Sequence, residues 1–341
     1  MKQFYPSITM LRGIAAMMVC VYHFTAYEDF RGALLPADDM LVWLGEFGVQ
    51  GVFIFFVISG FVIPLSLEKV NFKLSKIGRF LAKRWTRIEI PYFMSIALVL
   101  VIQVVFAGKN GTEFSLELGR LAHHLLYTIP FSSHEWYNPI YWTLAIEFQF
   151  YIVIALLFPL LVSNKTWVVI FTLVVFALSG LLVDDHRGVM YYAPIFAQGM
   201  ALFLWKVKRI KSVMAWSLIG GFVILTACTH ELTIAVFALL AILAIEYTNV
   251  NERLTNYFGD ISYSLYLTHG AIGGSVIYLL ARHVDDYSLK IGLIIIAILA
   301  SVVGAQIFWK IIENPSKALS KNMASESRNS LSKKNGTSEP K

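Results

Sequence analysis

Charge is scarce in this sequence. Asp, Glu, Lys and Arg together make up 15% of its 341 residues, against 57% apolar types, and the mean hydropathy of +0.65 lies outside the profile of a soluble globular chain. Cysteine is scarcer still. Cys20 and Cys228 each fall within or at the end of an apolar segment, which argues against a disulfide framework. Strand-type alternation with regular turns is missing, so the apolar segments read as helices rather than barrel strands. The first apolar run is interrupted by Arg12 and no small-residue cleavage site follows it, so an uncleaved first helix is expected. After Asn314-Pro315 the chain turns rich in Ser, Lys and Asn, the composition of a disordered tail. The expected organisation is a membrane domain over 1–313 and a basic tail over 314–341, with no appended soluble domain.

Ten apolar runs are long enough to be candidate spans: about 8–26, 42–67, 90–107, 139–162, 166–183, 189–205, 213–229, 232–248, 261–281 and 288–312. The expected fold is therefore an all-α integral membrane protein, a bundle of about ten transmembrane helices in a cell (inner or plasma) membrane. If the amino terminus is cytoplasmic, all but Arg31, Lys109, Arg120, Arg187, Arg282 and Lys290 of the 28 basic residues fall on that side. The far side also collects Asp38–Asp39, Asp184–Asp185 and Asp285–Asp286, so both termini are expected in the cytoplasm. The net charge of +6 follows from this bias and gives no reason to invoke nucleic acid.

Ionisable groups inside a bilayer are costly and default to function. Within the expected spans these are Arg12, His23, Glu46, Glu147 and His269. Eleven helical residues separate Arg12 from His23. That is about three turns, so both side chains share a face roughly 16 Å apart along the axis. One helix thus offers an anion anchor near the cytoplasmic boundary and an acid–base group deep in the bilayer. The plain alternative is a snorkelling arginine and a histidine satisfied by a neighbouring helix.

Glu147 falls eight residues after Pro139, roughly 12 Å below the outer surface, a depth comparable with that of His23. It shares a helical face with Thr143 and Tyr151, and a carboxylate there is expected to orient the imidazole as a triad acid orients its base. A structural hydrogen bond between helices is the competing role. The basic stretch from Lys69 to Arg79 reads as orientation signal and headgroup contact. Arg84 and Arg87, three apart on one face at the membrane edge, present two forked guanidiniums suited to phosphate groups.

Several runs, in order along the chain, resemble the membrane-bound acyltransferase 3 family, whose members include O-antigen and other surface-polysaccharide O-acetyltransferases. They are Leu11-Arg12-Gly13-Ile14-Ala15-Ala16 with His23, Gly51 to Phe61, Arg84 to Pro91, Trp142 to Glu147, Ser262 to His269, and Glu313-Asn314-Pro315. The resemblance implies an acyltransferase that moves an acyl group, commonly acetyl, from cytoplasmic acyl-CoA to a carbohydrate hydroxyl. Acetyl-CoA would be a co-substrate, and neither a permanently bound cofactor nor a metal is expected. The acceptor would be a carbohydrate or a lipid-linked glycan, with membrane lipids as the surroundings. It maps the family's arginine and histidine pair onto Arg12 and His23, and its paired loop arginines onto Arg84 and Arg87.

On the combined reading, the CoA phosphates dock on Arg12, Arg84 and Arg87, and the thioester reaches His23. His23 acts as general base, or forms an acyl-imidazole first; the residues do not separate the two routes. Glu147 is the expected orienter. Ser59, Trp142 and Tyr263 are expected to line the pocket, and His269 to contact substrate or close the tunnel. The competing class is a secondary transporter or flippase using an Arg/His/Glu relay. Against it, no internal repeat is visible, and Trp142 to Glu147 has no counterpart in the other half.

Overall fold

Long apolar runs leave the backbone no partner but itself, and in the computed structural model all the regular structure among the described residues is helical. The structure describes residues 5–27 and 34–321. Among the described residues, seven helices are long and apolar enough to cross a membrane: Pro6–Thr25, Met40–Glu68, Leu74–Asn110, Pro139–Leu161, Ser212–Thr229, Arg253–His283 and Tyr287–Lys321. The other three expected spans are also helices, but shorter, with 13 residues in Thr166–Leu178, 14 in Ala193–Lys206 and 16 in Leu232–Tyr247. At 1.5 Å per residue these reach about 20 to 24 Å, less than the roughly 30 Å of a hydrocarbon core. By length and apolarity, then, seven of the ten expected spans qualify as crossings, and the other three are shorter helices. Ala193–Lys206 is buried along nearly its whole length, which marks it as a core helix.

Glycines set how closely the central helices approach. A Cβ on Gly199 would fall 2.1 Å from the Val57 carbonyl oxygen, and one on Gly60 would fall 2.2 Å from that of Phe196. The helices Gly51–Glu68 and Ala193–Lys206 therefore touch backbone to backbone, as small residues permit where lipid supplies no hydrophobic drive. The first helix meets Arg253–Leu280 in the same way, with Gly259 against the Thr9 carbonyl.

Two departures from expectation bear on the site. The basic stretch is no loop beyond Lys76, because Ile77–Asn110 is one 34-residue helix with Pro91 inside it. Proline cannot bond the carbonyl four residues back and pushes it aside. The Ser316 hydroxyl donates to the carbonyls of Thr86 (2.5 Å) and Arg87 (3.4 Å), and Tyr263 Oη donates to that of Ile88 (2.9 Å).

The tail also does not begin at residue 314. A π-turn over Trp309–Glu313 widens the helix just ahead of Pro315, and helical structure continues to Lys321. The rest of the expected tail, 322–341, lies outside the described residues, as do Lys2 and Arg31 of the charge count.

Candidate functional site

The first helix carries Arg12 into one cavity and His23 into another. The arginine-end cavity encloses about 140 Å³ and is lined by Arg12, Arg84, Arg87 and Lys317, with Ser59, Glu147, Tyr151, Tyr263 and Glu313. The histidine-end cavity is larger, about 760 Å³, and is lined by His23, Tyr22, Tyr27, Trp142, Tyr192 and the loop residues His134, Trp136 and His186. Val52 and Tyr266 line both. Tyr266 is held in that wall by its hydroxyl, 2.7 Å from Thr143 Oγ1 and 3.2 Å from the Ile140 carbonyl.

Four cationic side chains against two carboxylates make the arginine-end cavity a place for an anion. Arg84 donates to Ser66 Oγ (2.6 Å), and its guanidinium lies over the rings of Phe80 and Tyr151. The guanidiniums of Arg12 and Arg87 make neither a hydrogen bond nor an ion pair with a described residue. Two partly buried guanidiniums without such partners, facing one cavity, are poised for oxygens that the protein does not supply.

His23 is buried, with Nδ1 2.8 Å from the Val19 carbonyl and 3.2 Å from His269 Nε2. His269 is fully buried behind it, with its own Nδ1 2.9 Å from the Leu265 carbonyl. A carbonyl only accepts, so each Nδ1 carries the proton. His269 Nε2 is then the acceptor facing the His23 Nδ1 proton, and the lone pair of His23 lies on Nε2. That is the tautomer of a general base.

Glu147 does not take part in this pairing. Its carboxylate accepts from Ser59 Oγ (2.9 Å) and lines the arginine-end cavity. The 100° turn per helical residue explains the difference. Trp142 and Ile146 form the stripe facing the histidine-end cavity, whereas Thr143, Glu147 and Tyr151 form the adjacent stripe facing the arginines. Depth alone placed Glu147 beside His23, and azimuth separates them.

Of the other expected pocket residues, Ser59 and Tyr263 line the arginine-end cavity and Trp142 the histidine-end cavity. Sequence reasoning missed Tyr266, which is shared by both cavities, and Lys317, which it assigned to the tail. It also passed over Glu89, a buried carboxylate that accepts from Tyr127 Oη (2.6 Å).

The model of the acyltransferase 3 family, described as an acyltransferase domain, matches residues 5–310. The chain belongs to that family. It is similar to the O-acetyltransferase OatA of Staphylococcus aureus, 26% identical over 92% of this chain and 57% of that protein. It is also similar to the O-acetyl transferase of Shigella phage Sf6, 25% identical over 75% of this chain and 81% of that one. The chain thus spans 57% of the staphylococcal relative's length. No solved structure matches it.

Proposed function

We propose that this protein is a membrane O-acyltransferase that moves an acyl group, acetyl in the simplest case, from acyl-CoA to a carbohydrate hydroxyl. The observation that carries this reading is the pair of cavities separated by the wall of Val52 and Tyr266, one lined by arginines and the other by His23. CoA is a polyanion at one end and a thioester at the other. Its phosphates would be held by Arg12, Arg84 and Arg87 on the cytoplasmic side, with the pantetheine arm running along the first helix towards His23. The acceptor would enter the histidine-end cavity, where Trp142 and Tyr192 offer aromatic surface and the loop histidines polar contacts.

His23 Nε2 takes the proton of the acceptor hydroxyl as its oxygen bonds to the thioester carbonyl carbon. The C–S bond then breaks, and the imidazolium returns the proton to the departing thiolate. A route through an acyl-imidazole uses the same nitrogen and gives the same products. The expected acceptor is a cell-surface polysaccharide or a lipid-linked glycan. Membership of an acyltransferase family favours transfer over transport.

The test uses purified protein in lipid with labelled acetyl-CoA and candidate glycan extracts. Release of free CoA together with labelled glycan supports the proposal. Neither product from any extract, with the cellular phenotype intact after His23→Ala, overturns it.

A further inference from the structure

We infer that Lys317 is a fourth cation of the donor site, held at the cavity by Glu313; this deepens the donor reading above and rests on it. Lys317 lies beyond residues 5–310 that match the family, in a stretch whose composition reads as tail. The fold nevertheless brings it to the arginine-end cavity. The π-turn over Trp309–Glu313 lets the helix run on through Pro315. Ser316 and Ser320 then bind that extension to the arginine-bearing helix, donating to the carbonyls of Thr86 (2.5 Å) and Lys83 (2.9 Å). The extension and the helix that bears Arg84 and Arg87 are therefore parts of one rigid wall.

Within that wall Glu313 is only 1% exposed. Its Oε2 accepts from the backbone N–H of Ser264 (3.0 Å) and from Ser264 Oγ (2.5 Å), which fixes the carboxylate. Its Oε1 pairs with Lys317 Nζ at 2.5 Å, and the ammonium also reaches the Asp260 carbonyl at 3.5 Å. An ammonium has three donors, and beside the Glu313 ion pair its one hydrogen bond here is to the Asp260 carbonyl. A further donor is available to a phosphate oxygen without breaking the ion pair. A lysine suits this role because its point charge rides on a flexible stem and has rotatable donors that can meet a phosphate while the ion pair is kept. Glu313 and Ser264 are positioning residues; Lys317 would touch the donor.

The experiment compares acetyl-CoA with S-acetylpantetheine, which carries the same thioester and no phosphate, on the full chain in lipid nanodiscs. Lys317→Gln should weaken acetyl-CoA binding and raise its KM about tenfold, the worth of one charge-assisted hydrogen bond, with kcat little changed. S-acetylpantetheine should bind as to wild type, which also reports that the variant is folded, and Lys317→Arg should restore most of the loss. Equal acetyl-CoA affinity in wild type and Lys317→Gln would overturn the inference while leaving the donor reading standing. So would an equal loss for both donors. Wild-type protein that binds acetyl-CoA no better than S-acetylpantetheine would sink the donor reading and the inference together.

Discussion

His269 Nε2 stands 3.2 Å from His23 Nδ1, joining the helix Arg253–Leu280 to the helix Pro6–Thr25 at the buried end of the site. The partner expected for His23 was a carboxylate, and the partner found is a second imidazole. An imidazole acceptor joins the Val19 carbonyl in holding the Nδ1 proton of His23 without placing a full negative charge in the bundle, where an isolated charge is costly. His269→Phe removes the acceptor and keeps a ring in place. It should lower kcat at least about tenfold, the loss of one hydrogen bond at the base, with KM for the donor unchanged. His269→Gln retains an acceptor oxygen and should recover part of the rate. Steady-state kinetics on both variants decides the point.

Glu147 gives the complementary case. Because it faces Arg12, Arg84 and Arg87 and bonds Ser59, Glu147→Gln removes a negative charge from the anion site and leaves the histidine pair intact. Acyl-CoA should bind at least as tightly as to wild type, and the pH profile of kcat should not shift. A displaced pH profile would mean that Glu147 acts on His23 after all.

Outside the spans, His124 is buried and neutral. Its Nε2 accepts from the Tyr137 backbone N–H (3.1 Å) and its Nδ1 faces Tyr92 Oη (3.0 Å). Burial, with the Arg120 guanidinium and His134 nearby, holds its pKa down to about 4 from the usual 6.5. Between those values the unfolded chain binds the proton and the folded one does not, so this contribution is fully present above about pH 6.5 and is lost as pH falls towards 4. Thermal unfolding of wild type should show that decline, and His124→Gln should flatten it.

Helix contact through glycine can be tested directly. On Gly199 a methyl group would meet the Val57 carbonyl oxygen at 2.1 Å and the Phe61 nitrogen at 2.8 Å, backbone atoms that cannot swing aside. Gly199→Ala should destabilise by about 1–3 kcal/mol, the usual range for overpacking. Gly221→Ala, with nothing within 4 Å of the new methyl, is the control and should melt at or above the wild-type temperature. Differential scanning fluorimetry in detergent or lipid reads both.

Periodicity and hydropathy made the helical bundle legible, together with the Arg12–His23 helix and the grouping of Thr143, Glu147 and Tyr151. Facing direction was not legible. A stripe defines a helix face but not which neighbour it meets, so Glu147 was turned to the wrong cavity. Lys317 was hidden for a different reason. Asn314-Pro315 reads as a stop, and only the π-turn and the serine clasps on the Pro91 helix show how the chain continues. The short Ala193–Lys206 helix reads as a span because burial inside a bundle and burial in lipid select the same apolar residues.

The most direct test of the account separates donor binding from chemistry in two variants, using acetyl-CoA affinity and single-turnover transfer on protein in lipid. His23→Ala should bind acetyl-CoA as tightly as wild type and transfer about 10²–10⁴-fold more slowly. The pair Arg84→Gln with Arg87→Gln should bind it more weakly, with a reduced salt dependence, and still transfer once saturated. Transfer at the wild-type rate by His23→Ala, or unchanged binding after loss of both arginines, would contradict it.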